Sequence, residues 1–104
     1  MTLEQLKQLI TDLGYENVTV FENYDYADAF IGMSDDGRAV YSYDKMIEWL
    51  MVNENLSYED SVEWIDYNTM RALPYYPDGP IVVYDVPEYM KDDYEVEKKD
   101  DTEV

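Results

Sequence analysis

The chain predicts an α+β fold: an N-terminal helix, a small, mainly antiparallel sheet of about three to four strands, and a packed helix pair, with an acidic C-terminal tail. Three observations carry this. Apolar residues recur at helical spacing in Leu3–Leu13, and again on two consecutive segments within Ser42–Leu73. An Asp-Gly turn sits between two short apolar arms at residues 28–41, the signature of a hairpin. A continuous apolar run, Ile81-Val82-Val83-Tyr84, is bounded by prolines at 80 and 87, which suits a strand.

In order, residues 3–13 form the first helix. Thr2 and Gln5 have the spacing of a capping box, Leu3, Leu6, Leu9, Ile10 and Leu13 form its apolar stripe, and Gly14 suits the left-handed position after its end. Val18–Phe21 alternates and is rich in β-branched residues, predicting a strand. Residues 22–28 are a tyrosine-and-acid loop. The hairpin turns at Ser34–Gly37, and Gly32 marks a bulge in its first arm. In the first helix of the pair the stripe is Tyr43, Met46, Ile47, Leu50 and Met51. In the second it is Tyr58, Val62, Ile65, Thr69 and Leu73, with Ser57 as N-cap and Pro74 as the stop. Residues 74–80 are a proline-and-glycine loop. Residues 1–87 therefore read as one domain and residues 88–104 as a solvated acidic tail.

Charge decides which partners are excluded. The 25 acidic and 7 basic residues leave a formal charge of −18, and residues 1–84 alone hold 16 acids against 4 bases. The folded body is itself strongly negative. Direct binding to nucleic acid or to an anionic membrane is disfavoured, because both need Lys or Arg to neutralise phosphate. The second helix of the pair carries Glu59, Asp60, Glu63 and Asp66 where a DNA-reading helix carries bases. With no Cys and no His, disulfides, thiolate chemistry and Cys/His zinc sites are excluded. The amphipathic N-terminus is neither a signal peptide nor a membrane span, so a cytoplasmic location is expected.

The candidate partner-binding residues are the outward acids of the helix pair, Asp44 and Glu48, then Glu59, Glu63 and Asp66. Spacings of three and four residues place each set in a row with Cβ atoms about 5–6 Å apart, a spacing that roughly imitates backbone phosphates. Like charges at this spacing weaken a helix, and only Lys45 interrupts them. The competing reading is a solvated face on a very soluble protein. Tyr24, Asp25, Tyr26 and Asp28 form a second candidate patch, since loop tyrosines give rigid contact area at low entropic cost; partial burial over a small core is the alternative. Trp49 and Trp64 read as packing residues, and Arg38 and Arg71 as partners of nearby carboxylates. No phosphate-binding loop, nucleophile elbow or EF-hand occurs, so no catalytic residue, cofactor or metal site is assigned and an enzyme is not expected.

The runs from Gly32 to Leu50 (GMSDDGRAVYSYDKMIEWL) and from Ser57 to Tyr75 (SYEDSVEWIDYNTMRALPY) resemble a group of small acidic proteins of Firmicutes genomes and their mobile elements. That group has no settled activity, so the resemblance assigns no site residue. It implies a phage or mobile-element setting, in which small acidic proteins often inhibit host defence, some by mimicking DNA.

The function expected from these readings is a non-enzymatic binding protein that presents ordered carboxylates to a basic protein surface, including that of a nucleic-acid-binding defence protein. The alternative is a structural or regulatory interaction module acting through tyrosine-rich surface, including as a homodimer. Divalent-cation binding by clustered carboxylates is a third reading.

Overall fold

The computed structural model describes residues 1–92. Leu3–Asp12 is α1. The Thr2 hydroxyl oxygen accepts from the Gln5 amide and the Gln5 side-chain oxygen accepts from the Thr2 amide, at 3.1 and 2.9 Å, so the capping box forms. Gly14 follows the cap at φ 99°, a conformation that suits glycine. Leu6 and Ile10 are buried, whereas Leu9 is partly exposed and Leu13 is 54% exposed, so the helix covers a narrower core than its stripe suggests.

The strand expected at Val18–Phe21 does not form: residues 18–22 run between α1 and the sheet without joining any ladder. Alternating β-branched residues give a preference for extended chain, but a strand also requires a partner edge. Here the segment is held by side chains instead. Val20 is buried, and the Phe21 ring packs on Tyr41 and edge-on to Tyr26, with centroids 4.7 and 5.4 Å apart.

The hairpin does form. Phe30–Met33 (β1) pairs antiparallel with Ala39–Ser42 (β2), with a register shift between Phe30 and Gly32 where the bulge was expected. Gly37 supplies φ 83° in the turn. Arg38 holds this end down: its Nε donates to the Gly79 carbonyl at 2.9 Å, and Nη1 lies 3.9 Å from Asp36. Ile81–Val83 (β3) pairs with β2 in parallel, so the sheet is mixed, in the order β1-β2-β3, with one antiparallel and one parallel pair. Parallel neighbours need a crossover connection, and the helix pair supplies it.

Strand β2 runs straight into Tyr43–Asn53 (α2), and Ser42 serves both elements. It is the last residue of β2 and the N-cap of α2: its Oγ accepts from the Lys45 amide at 3.2 Å and donates to Asp85 at 2.7 Å. This fully buried hydroxyl ties the chain after β3 to the strand–helix corner. Met46, Ile47 and Leu50 of α2 are buried as their spacing predicts.

The second helix departs from expectation. Tyr58–Trp64 (α3) is α-helical, capped by Ser57, whose Oγ accepts from the Asp60 amide at 3.1 Å. Ile65–Met70 is then a π-helical segment, and a 3₁₀ turn at Leu73–Tyr75 follows. The inward face is Ser61 and Ile65, with Val62 half-buried, while Tyr58 is 60% exposed. Ser61 tolerates burial because its hydroxyl donates to the Ser57 carbonyl at 2.8 Å. Of the apolar stripe read from sequence, Ile65 is buried, Val62, Thr69 and Leu73 are half-buried, and Tyr58 alone departs from it. Of the proposed tail, residues 88–92 are helical and exposed, and the rest lies outside the described residues.

Two tyrosines sit fully inside. The Tyr26 hydroxyl shares a 3.2 Å hydrogen bond with Thr69. The Tyr41 hydroxyl is buried without a hydrogen-bond partner of good geometry among the described residues; the Phe21 backbone amide faces it but is not well aligned. An unpaired buried hydroxyl costs about 1–3 kcal/mol, whereas a paired one contributes about 0.5–1.5. Tyr41→Phe is therefore expected to raise stability by about 1 kcal/mol and Tyr26→Phe to lower it by a similar amount. Urea midpoints at unchanged m-value check both; a loss of stability in Tyr41→Phe would show that its hydroxyl is satisfied after all.

Candidate functional site

The five helix acids are all exposed, and none forms an ion pair with a described residue. Glu59 lies in the first turn of α3, close to the positive end of its dipole, which favours it there, and Glu63 lies one turn further on. Asp66 lies in the first turn of the π-helical segment and accepts a 3.0 Å hydrogen bond from the Tyr43 hydroxyl. That bond ties Asp66 to the first turn of α2, where Asp44 follows Tyr43 in sequence. Tyr43 also packs on Tyr84 at 4.7 Å. Its hydroxyl is driven well above the usual tyrosine range, first by loss of solvent and then by its bond to, and repulsion from, the Asp66 carboxylate. Glu48, one turn further along α2, is exposed as well.

The second candidate patch divides. Tyr26 is 1% exposed, so its ring is part of the core and not of a contact surface; this corrects its reading as a binding residue. It adopts a left-handed conformation, φ 46° and ψ 34°, held by the Asp25 carboxylate, which accepts from the Ala27 amide at 2.9 Å. Asp25 is half-buried in this role. Asp28 is exposed and paired with the amino group of Met1. Only Tyr24 reaches the surface of the helix pair, its ring leaning on Trp64 and Trp49 at 5.0 and 5.9 Å.

Trp64 marks what residue-by-residue reading missed. Read as packing, it is 37% exposed and separates two concavities. One, of about 840 Å³, lies between residues 19–24 and the π-helical segment, with Tyr24, Leu73 and Tyr76 in its lining. The other, of about 310 Å³, is lined by Asp60, Glu63 and Tyr67. Trp64 and Asn68 border both. The carboxylates lining them are Glu22, Asp60 and Glu63, and no Lys or Arg lines either. The visible signal was a tryptophan flanked by Glu63 within an acidic helix, but only the tertiary fold shows that its face is open.

Arg71, read as an ion-pair partner, instead lies over the Tyr67 ring, 5.4 Å from its centroid. Among the described residues no group of three or more Asp or Glu is arranged to hold a metal ion, and no helix is long and apolar enough to cross a membrane. Comparison with protein families, with curated proteins and with solved structures gave no match.

Proposed function

We propose that this chain is a non-enzymatic binding protein that offers fixed carboxylates to a basic surface on another protein, of the kind that grips nucleic acid. The observation that supports it is the unneutralised row Glu59, Glu63 and Asp66, with Asp66 tied to α2 by Tyr43, on a body of net charge −12 over residues 1–84. Carboxylates placed to stabilise their own helices would be interleaved with bases; here Lys45 alone interrupts them. Fixed negative charge raises association rates with basic partners and excludes acidic ones. In a phage or mobile-element setting, a protein of this character blocks a defence protein by occupying its nucleic-acid site.

The test is capture of basic proteins by the immobilised chain across a salt series, with duplex DNA as competitor. Capture is expected to fall steeply between about 50 and 200 mM salt, as phosphate-gripping surfaces do, and DNA is expected to displace the captured protein. Combined charge reversal, Glu59→Lys, Glu63→Lys and Asp66→Lys, is expected to abolish capture while circular dichroism stays native. Capture indifferent to salt and to the reversal would sink the proposal.

The exposed rings of Tyr67, Tyr75 and Tyr76 favour a second reading, an interaction module acting through tyrosine-rich surface. Sedimentation distinguishes its homodimeric form: a stable dimer in which these rings are protected supports it, and a monomer removes it.

A further inference from the structure

We infer that the concavities on either side of Trp64 receive an extended segment of the partner that carries arginine or lysine between apolar side chains; this rests on, and narrows, the reading of a basic partner. Three features fit that occupant together. The first is charge. Asp60 and Glu63 line one side and Glu22 the other, and no Lys or Arg lines either concavity. Glu22 shares its charge with Lys7 at 3.6 Å, so Asp60 and Glu63 are the stronger anchors for an incoming cation.

The second feature is the lining of the site. Tyr24, Trp64 and Tyr76 present aromatic surface beside those carboxylates. A guanidinium or ammonium group gains from both, by charge and by contact with a ring face. Leu73 and the ring bodies leave apolar area for the side chains between the cations.

The third feature is an unused main-chain edge. Residues 19–24 line the larger concavity without a break, although the side chains of Val20 and Phe21 are packed into or against the core. Apart from the Phe21 amide, which faces the buried Tyr41 hydroxyl, the amides and carbonyls of residues 18–23 are open to a partner: none makes a main-chain hydrogen bond with a described residue. Such groups are obligatory donors and acceptors, and an added strand satisfies them. The segment forms no strand by itself, and on this inference the partner supplies the edge that it lacks.

The experiment uses fluorescence anisotropy with the intact chain and a labelled octapeptide of alternating arginine and valine. Saturable binding is expected, with at least a tenfold loss in three cases: alternating glutamate and valine; the arginine–valine peptide with N-methylated valine amides; and the Asn68→Arg variant, which puts a cation on the border of both concavities. Glu63→Gln, a smaller change, is expected to weaken binding severalfold and serves if Asn68→Arg fails to fold. Two results overturn the inference. In the first, octaarginine binds equally well and neither N-methylation nor the variants matter; the attraction is then diffuse, and the broader reading of a basic partner stands. In the second, the arginine–valine peptide does not bind although basic proteins are still captured in a salt-sensitive way. Loss of capture as well would remove both readings.

Discussion

Tyr26→Ala is expected to destabilise the chain by about 3–5 kcal/mol, the range for truncating a fully buried aromatic residue. The ring is a hub. It meets Phe21 at 5.4 Å and Trp49 at 5.2 Å, and its hydroxyl reaches Thr69 in the π-helical segment, so one side chain joins the unpaired run, α2 and the end of the helix pair. Its backbone conformation adds to the effect. A non-glycine residue in the left-handed region carries a penalty of about 1–2 kcal/mol. Ring burial offsets that penalty here. Alanine keeps the penalty and loses the packing.

Domains of this size have a total stability of about 5–15 kcal/mol, so the loss removes a large share of it. The midpoint of thermal unfolding should fall by at least about 12 °C. Tyr24→Ala is the comparison, because Tyr24 is half-buried and touches mainly the outer faces of Trp49 and Trp64. A cost of about 1 kcal/mol is expected there, the scale of an aromatic pair. Equal effects from the two variants would contradict the assignment of Tyr26 to the core and Tyr24 to the surface.

That contrast shows where sequence was sufficient. Tyr24 and Tyr26 stand two residues apart among the same acids, and no local property separates them. One is core and the other surface because α2 and the π-helical segment close over Tyr26, a tertiary event. Features set by neighbours in the chain were legible: the Thr2–Gln5 capping box, the bulge at Gly32, the Gly37 turn, the Ser57 cap and the Met46–Ile47–Leu50 face of α2. The strand at Val18–Phe21 was not, because alternation reports a preference while pairing depends on an edge elsewhere. The π-helical segment was not legible either, since its residues carry ordinary helical spacing and its Thr69 meets Tyr26 across 43 positions of sequence. Exposure of the acidic rows was predictable from charge alone. The concavities beside Trp64 depend on how residues 19–24 settle against the helices.

The same buried hydroxyls set the behaviour in alkali. Burial pushes the Tyr41 pKa up to about 12, and burial is also the leading cause that raises Tyr26 and Tyr43. In the unfolded chain a tyrosine ionises near pH 10. Between about pH 10 and 12 the native state therefore holds protons that the unfolded state has lost. Stability falls as pH rises through this window and is fully present below it. For Tyr41, fully buried, the integrated loss is roughly 2–3 kcal/mol. Deprotonation of the few lysines and added tyrosinate charge deepen the fall in a chain already at −18, so the wild-type curve alone does not isolate the effect. The Tyr41→Phe difference does. Its advantage over wild type, about 1 kcal/mol near neutrality from the removed unpaired hydroxyl, should widen by roughly 2–3 kcal/mol between pH 9 and pH 12. Urea denaturation at fixed ionic strength measures it, and tyrosinate absorbance should show this group ionising together with unfolding. Parallel stability curves for the two proteins would mean that the Tyr41 hydroxyl gives up its proton within the folded state, through an opening beside Phe21 that the packing described here does not allow.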